Sequence, residues 1–590
     1  MATTRLSRHT DDSSGSALAW AHLPTTGFAD IAARPGTVAI LPVHGYADHG
    51  LGLPLDAEEL VAAPLLASAA AAAAGVQGSR FRVQGSAFSV SDCRPAASVH
   101  GSGYAAPANN PKPPTPNPEP ARSATAFAAS VLVLPPFRFG PAPYPSSFFG
   151  IDPDTARDAV LELADGVRRA GLEKLLLFST SPWHREWLNA AALDIRIETG
   201  LRVYRLHLSA LGLDFHPAAP AADRAAAQAL ASALRHTPPA PVTRTGDVRD
   251  ATFRPGCFRQ PPPLPTDALP GADADGLFAS AASRLASFLA ECLAPSPSPS
   301  LASSSLSGSA IPAHFKLPAA TSPFPRFLPS LTRDELEAIP AADRARAVVI
   351  LPTGAIEQHG PHLPVGTDAL IGQALLARAL GHLFPSASSP SRSSAPSPAV
   401  YVAPPLLVGK STEHRSFAGT LTHSTRTFRA LLRAQAAQLH WLGFRTLALL
   451  NTHGGNSAVL TYTLRELQTD PALPGLRAGM LTHGYKPAEL SAQEATFGFH
   501  AGEWETSLML AIAPDLVRMD RALCAWPAQL DDPGTLRPEG ASLTFAWTTE
   551  DISPTGVMGD ATRATAEKGA RWLAAAAEGL AAAIRNLLAG

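Results

Sequence analysis

Three short stretches of the chain gather the residue types that metal-dependent hydrolysis needs. The first reads Glu357-Gln-His359-Gly-Pro-His362-Leu-Pro and is followed by Asp368. Glu357 and His359 flank one residue, so in an extended segment their side chains share a face. Asp368 falls where a helical pattern begins, and a carboxylate there either caps the helix or bridges two cations. The plain alternative is a helix cap with two surface residues. The second stretch is Asn451-Thr-His453-Gly-Gly-Asn456. Its paired glycines permit a tight turn and close backbone approach to a ligand. A histidine at such a turn serves as a metal ligand or a general base, unless the segment is only a turn in which Asn456 caps the next helix. The third, His500-Ala-Gly-Glu503-Trp-Glu505-Thr-Ser507, leads into the apolar run Leu508–Ile512. Its two carboxylates suit the positive end of a helix, the better reading of that stretch alone. With His500 they also form the inventory of a metal site with an acid/base group.

Taken together, the stretches offer three carboxylates and two imidazoles as ligands. Mixed nitrogen and oxygen ligation suits Zn, Mn or Fe rather than Mg or Ca. The set is too large for one structural zinc and fits two ions sharing a carboxylate.

The elements that would hold these residues are legible in the apolar pattern. Val348–Leu351, Ala399–Ala403 and Leu447–Asn451 are short apolar runs bounded by Pro, Gly or polar residues. They read as buried parallel strands. Asp368–Leu380 and Thr425–Trp441 carry apolar residues at helical spacing. Strand and helix alternate, which predicts an α/β layered fold. The polar clusters follow strand C-terminal ends, where such folds place ligands.

The two halves of the chain resemble each other. VAILPVHGYADHGLGLP (38–54) matches VVILPTGAIEQHGPHLP (348–364), VLVLPPFRFG (131–140) matches VYVAPPLLVG (400–409), and RRAGLEKLLLFST (168–180) matches HWLGFRTLALLNT (440–452). Three matches in the same order predict a tandem duplication. The expected layout is a disordered tail at 1–19, a first domain at 20–240 with a Pro-rich insertion at 105–125, and a Ser/Pro-rich linker at 241–326. A catalytic domain at 327–590 follows, with an insertion at 385–398.

The chain has 590 residues, 57 of them proline, and a formal charge of −2. That balance gives no case for nucleic acid or an anionic membrane. Four scattered cysteines, with no CxxC pair, suit a reducing compartment. No apolar run reaches membrane-spanning length. Arg5 and Arg8 are compatible with a short transit peptide, whereas Asp11 and Asp12 argue against a secretory signal. The expected location is the cytoplasm.

The three motifs, with Pro554-Thr-Gly-Val-Met-Gly-Asp560 and Ala564-Thr-Ala-Glu-Lys-Gly569, resemble the creatininase (creatinine amidohydrolase) family over about residues 330–588. The resemblance implies an α/β/α fold with a binuclear metal centre, so that the chain would be two tandem creatininase-like domains with mostly parallel sheets. By match, Glu357 and His453 would hold one ion, His359 the other, and Asp368 would bridge them. Creatininase itself carries a metal-binding Glu where this chain has Gly455, and an acidic residue where it has Phe499. Glu505 or water would fill the first vacancy, and creatinine becomes a doubtful substrate. Gly409-Lys-Ser-Thr-Glu413-His414-Arg-Ser-Phe417-Ala-Gly419 resembles the family's loop over the active site, with Glu413 and His414 as substrate contacts or as solvated loop residues. In the first half, Ala47, His49, Glu58 and Ser181 fall on Glu357, His359, Asp368 and His453. That half therefore reads as a degenerate, non-catalytic copy that pairs with the catalytic one.

The expected function is hydrolysis of a non-peptide C–N bond (an amide, cyclic amide or formamide) in a small-molecule substrate. Two divalent ions would activate a shared water, and His500 would move the proton to the leaving nitrogen. Rival readings are a formamidopyrimidine deformylase-like role on the way to riboflavin-type cofactors, a lactonase or sugar-ring hydrolase, and a scaffold with a relic site. Self-association into a homo-oligomer is a further expectation.

Overall fold

The computed structural model describes residues 17–34, 36–49, 52–73, 130–141, 147–216, 219–234, 273–293, 324, 326–384, 400–482, 484–526, 536–537, 543–544 and 546–589. The insertions expected at 105–125 and 385–398 lie outside these residues.

The first half runs β1 (Ala17–Ala19), α1 (Thr25–Ala32), β2 (Val38–Val43), β3 (Tyr46–Ala47), α2 (Ala57–Ala73), β4 (Val131–Val133) and β5 (Ser147–Phe148). It continues with α3 (Pro153–Arg169), β6 (Lys174–Ser179), α4 (Arg185–Thr199), β7 (Arg202–His207), α5 (Ala221–Leu234) and α6 (Ala274–Leu293). The second half opens with α7 (Arg333–Ala338), α8 (Ala341–Arg346), β8 (Val348–Thr353), α9 (Thr367–Leu383), β9 (Val400–Val402) and α10 (Thr425–Trp441). After these come β10 (Thr446–Asn451), α11 (Ser457–Thr469), β11 (Arg477–Leu481), α12 (Ala492–Phe497), α13 (Glu503–Ile512), α14 (Thr549–Ile552) and α15 (Ala566–Ala589).

Each half builds one main parallel sheet, in the order β1-β4-β2-β6-β7 and β9-β8-β10-β11. Period-2 alternation sends neighbouring residues of a strand to opposite faces. In β2, Val38 and Ile40 join a core with α2, α5 and α6, while Ala39 and Leu41 point the other way. In β8, Val348 and Ile350 join a core with α9, α13 and α15, while Val349 and Leu351 turn away. The residues that turn away meet in one shared core, which also takes in α3, α4, α10 and α11. Helices thus cover both faces of each sheet, as expected of an α/β/α fold.

Strand order and register repeat between the halves. Ala39 pairs with Leu175 as Val349 pairs with Leu447, and Val38 pairs with Val131 as Val348 pairs with Val400. The aligned helices α3 and α10 face each other across the shared core. Asp152 and Ser424 cap them in the same way, each side chain accepting from the N–H three residues on, Thr155 at 2.9 Å and Thr427 at 3.2 Å. Along this seam Phe149 N donates to Gln438 Oε1 (3.1 Å) and Gln435 Nε2 to Phe149 O (3.1 Å). Glu162 accepts from His423 Nδ1 (2.8 Å) and Thr427 Oγ1 (2.9 Å).

Two expected boundaries are corrected. The tail assigned to 1–19 ends in β1, which pairs with β4. The linker assigned to 241–326 contains the 20-residue helix α6, which buries Phe278, Ala281, Ala282, Leu285 and Leu289 against α2 and α5. Its helical spacing is plain, but Pro/Ser-rich flanks on both sides gave the whole stretch a linker composition. Among the described residues no helix is long and apolar enough to cross a membrane.

Candidate metal centre

The cluster forms where the C-terminal ends of β8 and β10 meet the loops ahead of α9, α10 and α13. β8 delivers Glu357 and His359 a few residues past its end, and the first turn of α9 presents Asp368. β10 leads into His453, held by Asn451, whose amide donates to His453 O (2.7 Å). His500 is pinned by paired backbone bonds to Met558, and Glu505 lies in the first turn of α13, accepting from Ala501 N (2.6 Å). The expected ligands therefore converge, although they are drawn from distant parts of the chain.

His453 Nε2 stands 3.2 Å from Glu357 Oε2 and its Nδ1 3.3 Å from Asp368 Oδ2. His359 Nε2 is 3.6 Å from Asp368 Oδ1 and 3.8 Å from Glu505 Oε1. His414 Nε2 and His500 Nδ1 lie 3.4 and 3.7 Å from Glu357 Oε1. The imidazoles of 359, 500 and 414 stand in a row with neighbouring centroids 4.3 Å apart, 500 stacked on 414 and tilted against 359.

These approaches are close but leave key atoms without hydrogen bonds. Glu357 Oε2, His359 Nε2 and Asp368 Oδ2 are buried without a hydrogen-bond partner. Native proteins rarely leave such atoms unsatisfied, at about 1–3 kcal/mol each. Donor atoms that face a common centre without bonding one another fit a bound cation, and the donor set suits a transition metal. Grouped by reach, Glu357, His359 and Asp368 form one candidate set, His359, His500 and Glu505 a second, and Glu357, Glu413 and His453 a third, each within 4.8 Å. A fourth joins Glu357, His414 and His500.

The electrostatics point the same way. Burial pushes Glu357 up to about 7, against the pull of His453. Burial opposes charge on His359 and His453, yet Asp368 and Glu357 outweigh it and raise both well above the ordinary imidazole value. Asp368 is held below its usual range because the two histidines overcome its burial. The carboxylates demand positive charge at the positions where cations would sit.

His414 and Glu413 separate. His414 is buried within the cluster, whereas Glu413 keeps a side-chain exposure of 20% and stands 3.8 Å from His453 Nε2. Sequence reasoning missed Gln358, Thr549 and Ser411. Gln358 Nε2 donates to His414 Nδ1 (2.9 Å) and Gly556 O (3.1 Å), and its backbone carbonyl lies 2.8 Å from His500 Nε2. Thr549 Oγ1 lies 2.6 Å from His414 Nδ1, and Ser411 Oγ 3.3 Å from His453 Nε2. The one available signal was Gln358, a polar residue between two candidate ligands on the opposite face of an extended segment.

In the first half, His49 Nε2 meets Glu58 Oε1 at 3.1 Å, and Ala47 and Ser181 occupy the aligned ligand positions. Among the described residues, every group of three or more potential ligands falls in the second half.

A profile of the family described as Creatininase: Creatinine amidohydrolase matches residues 330–584. The mycofactocin precursor peptide peptidase of Mycobacterium ulcerans is 34% identical over 228 residues, covering 38% of this chain and 78% of that protein. The creatinine amidohydrolase of Pseudomonas putida is 30% identical over 277 residues, covering 44% of this chain and 96% of that protein. A solved structure named "Creatininase Mn" aligns at 28% identity with a TM-score of 0.36, over 44% of this chain and 98% of its own.

Proposed function

The chain belongs to the creatininase family, and from that premise we propose that its second half hydrolyses an amide-type C–N bond with two divalent ions. Glu357 and His453 would hold one, His359 and Glu505 the other, and Asp368 would stand between them. The observation that carries this reading is the convergence of unpartnered, buried donor atoms on Glu357, His359 and Asp368. Divalent ions held there supply an activated water and polarise the substrate carbonyl.

The chain's own residues do the rest. Gln358 Nε2 (2.9 Å) and Thr549 Oγ1 (2.6 Å) both meet His414 Nδ1, which turns His414 Nε2 toward the site. When it carries the proton, that nitrogen can donate to the oxyanion of a tetrahedral intermediate. His500 Nε2 donates to Gln358 O, so its Nδ1 lone pair faces the cluster. Burial lowers His500 to about 4, which keeps the ring neutral with a lone pair at Nδ1. It would pass a proton to the leaving nitrogen.

Two substrate classes follow from different observations. The departures at Gly455 and Phe499 favour a small cyclic amide or formamide other than creatinine, including a formamidopyrimidine. The Mycobacterium relative, named for a precursor peptide, favours a peptide C–N bond. We expect the purified chain to carry about two divalent ions and Asp368→Asn to carry fewer. A panel of cyclic amides, formamides and short peptides would then decide the class. A wild-type chain that binds no divalent ion sinks the proposal and favours the scaffold reading.

We also propose that the halves descend from one duplicated domain and that the first has lost its chemistry. The repeated strand order and register support the descent, and the lone His49–Glu58 pair supports the loss.

A further inference from the structure

We propose that Glu413 is itself a ligand of the ion faced by Glu357 and His453, and that the N-terminal half seats it there. The inference rests on the metal-hydrolase reading. Glu413 Oε1 lies 3.8 Å from His453 Nε2 and shares reach with Glu357 and His453. Two ligands about 2.1 Å from a tetrahedral ion stand roughly 3.4 Å apart, and one ligand atom each of Glu357, Glu413 and His453 lies within 4.8 Å of the others, a group sized to hold a cation. Glu357 Oε2, on a residue 1% exposed and without a hydrogen-bond partner, aims into the same space.

The space exists because residue 455 is glycine. A Cβ there would collide with the Glu413 carboxylate, the His453 imidazole and the Lys410 carbonyl. Glu413 therefore enters where any side chain at 455 would stand.

The segment that carries Glu413 is fixed at both ends. Lys410 N donates to Asn456 Oδ1 (2.8 Å), and Thr549 Oγ1 to Glu413 O (2.9 Å). Its far end is held by the other half of the molecule. Trp20 Nε1 donates to Gly419 O (2.9 Å), Thr25 Oγ1 to Ala418 O (2.7 Å), and Arg169 to Arg415 O (2.6 Å) and Thr420 O (3.2 Å). Gly419 has φ +90, and a Cβ on it would drive into the Phe28 ring. The half without a ligand set thus fixes a ligand of the other half.

The test is chelator competition on the purified full chain loaded with Mn²⁺ or Zn²⁺, with a thermal melt to check folding. Wild type should hold two ions; if it holds none, the underlying reading fails and not this inference alone. Glu413→Gln and Gly455→Ala should each weaken one ion by more than about tenfold and spare the other. Trp20→Phe and Arg169→Ala, remote from the ions, should weaken the same ion by a smaller factor. Wild-type affinity for both ions in Glu413→Gln overturns the assignment, and wild-type affinity in both remote variants overturns the role of the N-terminal half.

Discussion

Gln358 sits between two candidate ligands in sequence but faces away from them, and it contacts two histidines at once. Gln358→Met keeps the volume and removes the Nε2 donors that meet His414 and Gly556 O, while the backbone carbonyl that faces His500 stays. We expect this variant to retain its metal while kcat falls by about 10–100-fold, the scale of losing a group that orients catalytic residues. Unchanged turnover at full metal content would show that His414 needs no such guide. That Glu357, His359, Asp368 and His453 would gather in one cluster was legible in the sequence, because ligand chemistry restricts residue types and the spacing Glu-x-His fixes a shared face. Gln358 and Thr549 were not, since a neutral polar residue that orients a histidine carries no pattern, and Thr549 reaches His414 from α14, more than a hundred residues along the chain. Glu413 stood out only as a substrate contact, because its closeness to His453 depends on the fold rather than on spacing.

The strands were the easiest elements to read. A parallel strand buried on both faces shows as a continuous apolar run, and β8 and β10 follow such runs to within two residues. Helix α10 matches its expected bounds, since an amphipathic face and a Ser424 cap mark it. α6 was hidden by its surroundings. Its place in the core yields a prediction: Leu285→Ala should destabilise the first half by about 2–5 kcal/mol, as a buried leucine does. Denaturant unfolding measures this, and a change below about 0.5 kcal/mol, typical of a surface substitution, would return α6 to the status of a linker. The pairing of α3 with α10 was beyond the sequence, because each apolar stripe shows that a helix is covered and not what covers it.

At the scale of the whole molecule, the halves are joined through backbone as well as side chains. Leu55 N donates to Leu331 O (3.0 Å), Asp56 N to Pro329 O (2.9 Å), and Gly366 N to Ala21 O (2.9 Å), two residues before Asp368. Asp56 lies in this junction. Burial, with Glu59 nearby, pushes it up to about 8, although Ser330 donates to its Oδ2 (3.2 Å) and Arg138 favours its charge. An unfolded aspartate titrates near about 3.9. Between the two values the folded chain binds the extra proton, so this group's contribution is complete below about pH 4 and is lost as pH rises through about 8. Asp56→Asn should therefore melt higher than wild type at pH 8 and close to it at pH 5. Parallel melting curves across that range would exclude Asp56 as the cause. The core shared by the two halves has one more consequence. Covalent continuity between residues 293 and 324 is not what keeps the halves associated. A chain cut by a protease within that interval should still elute as a single particle of undiminished size, its two fragments parting only under denaturant.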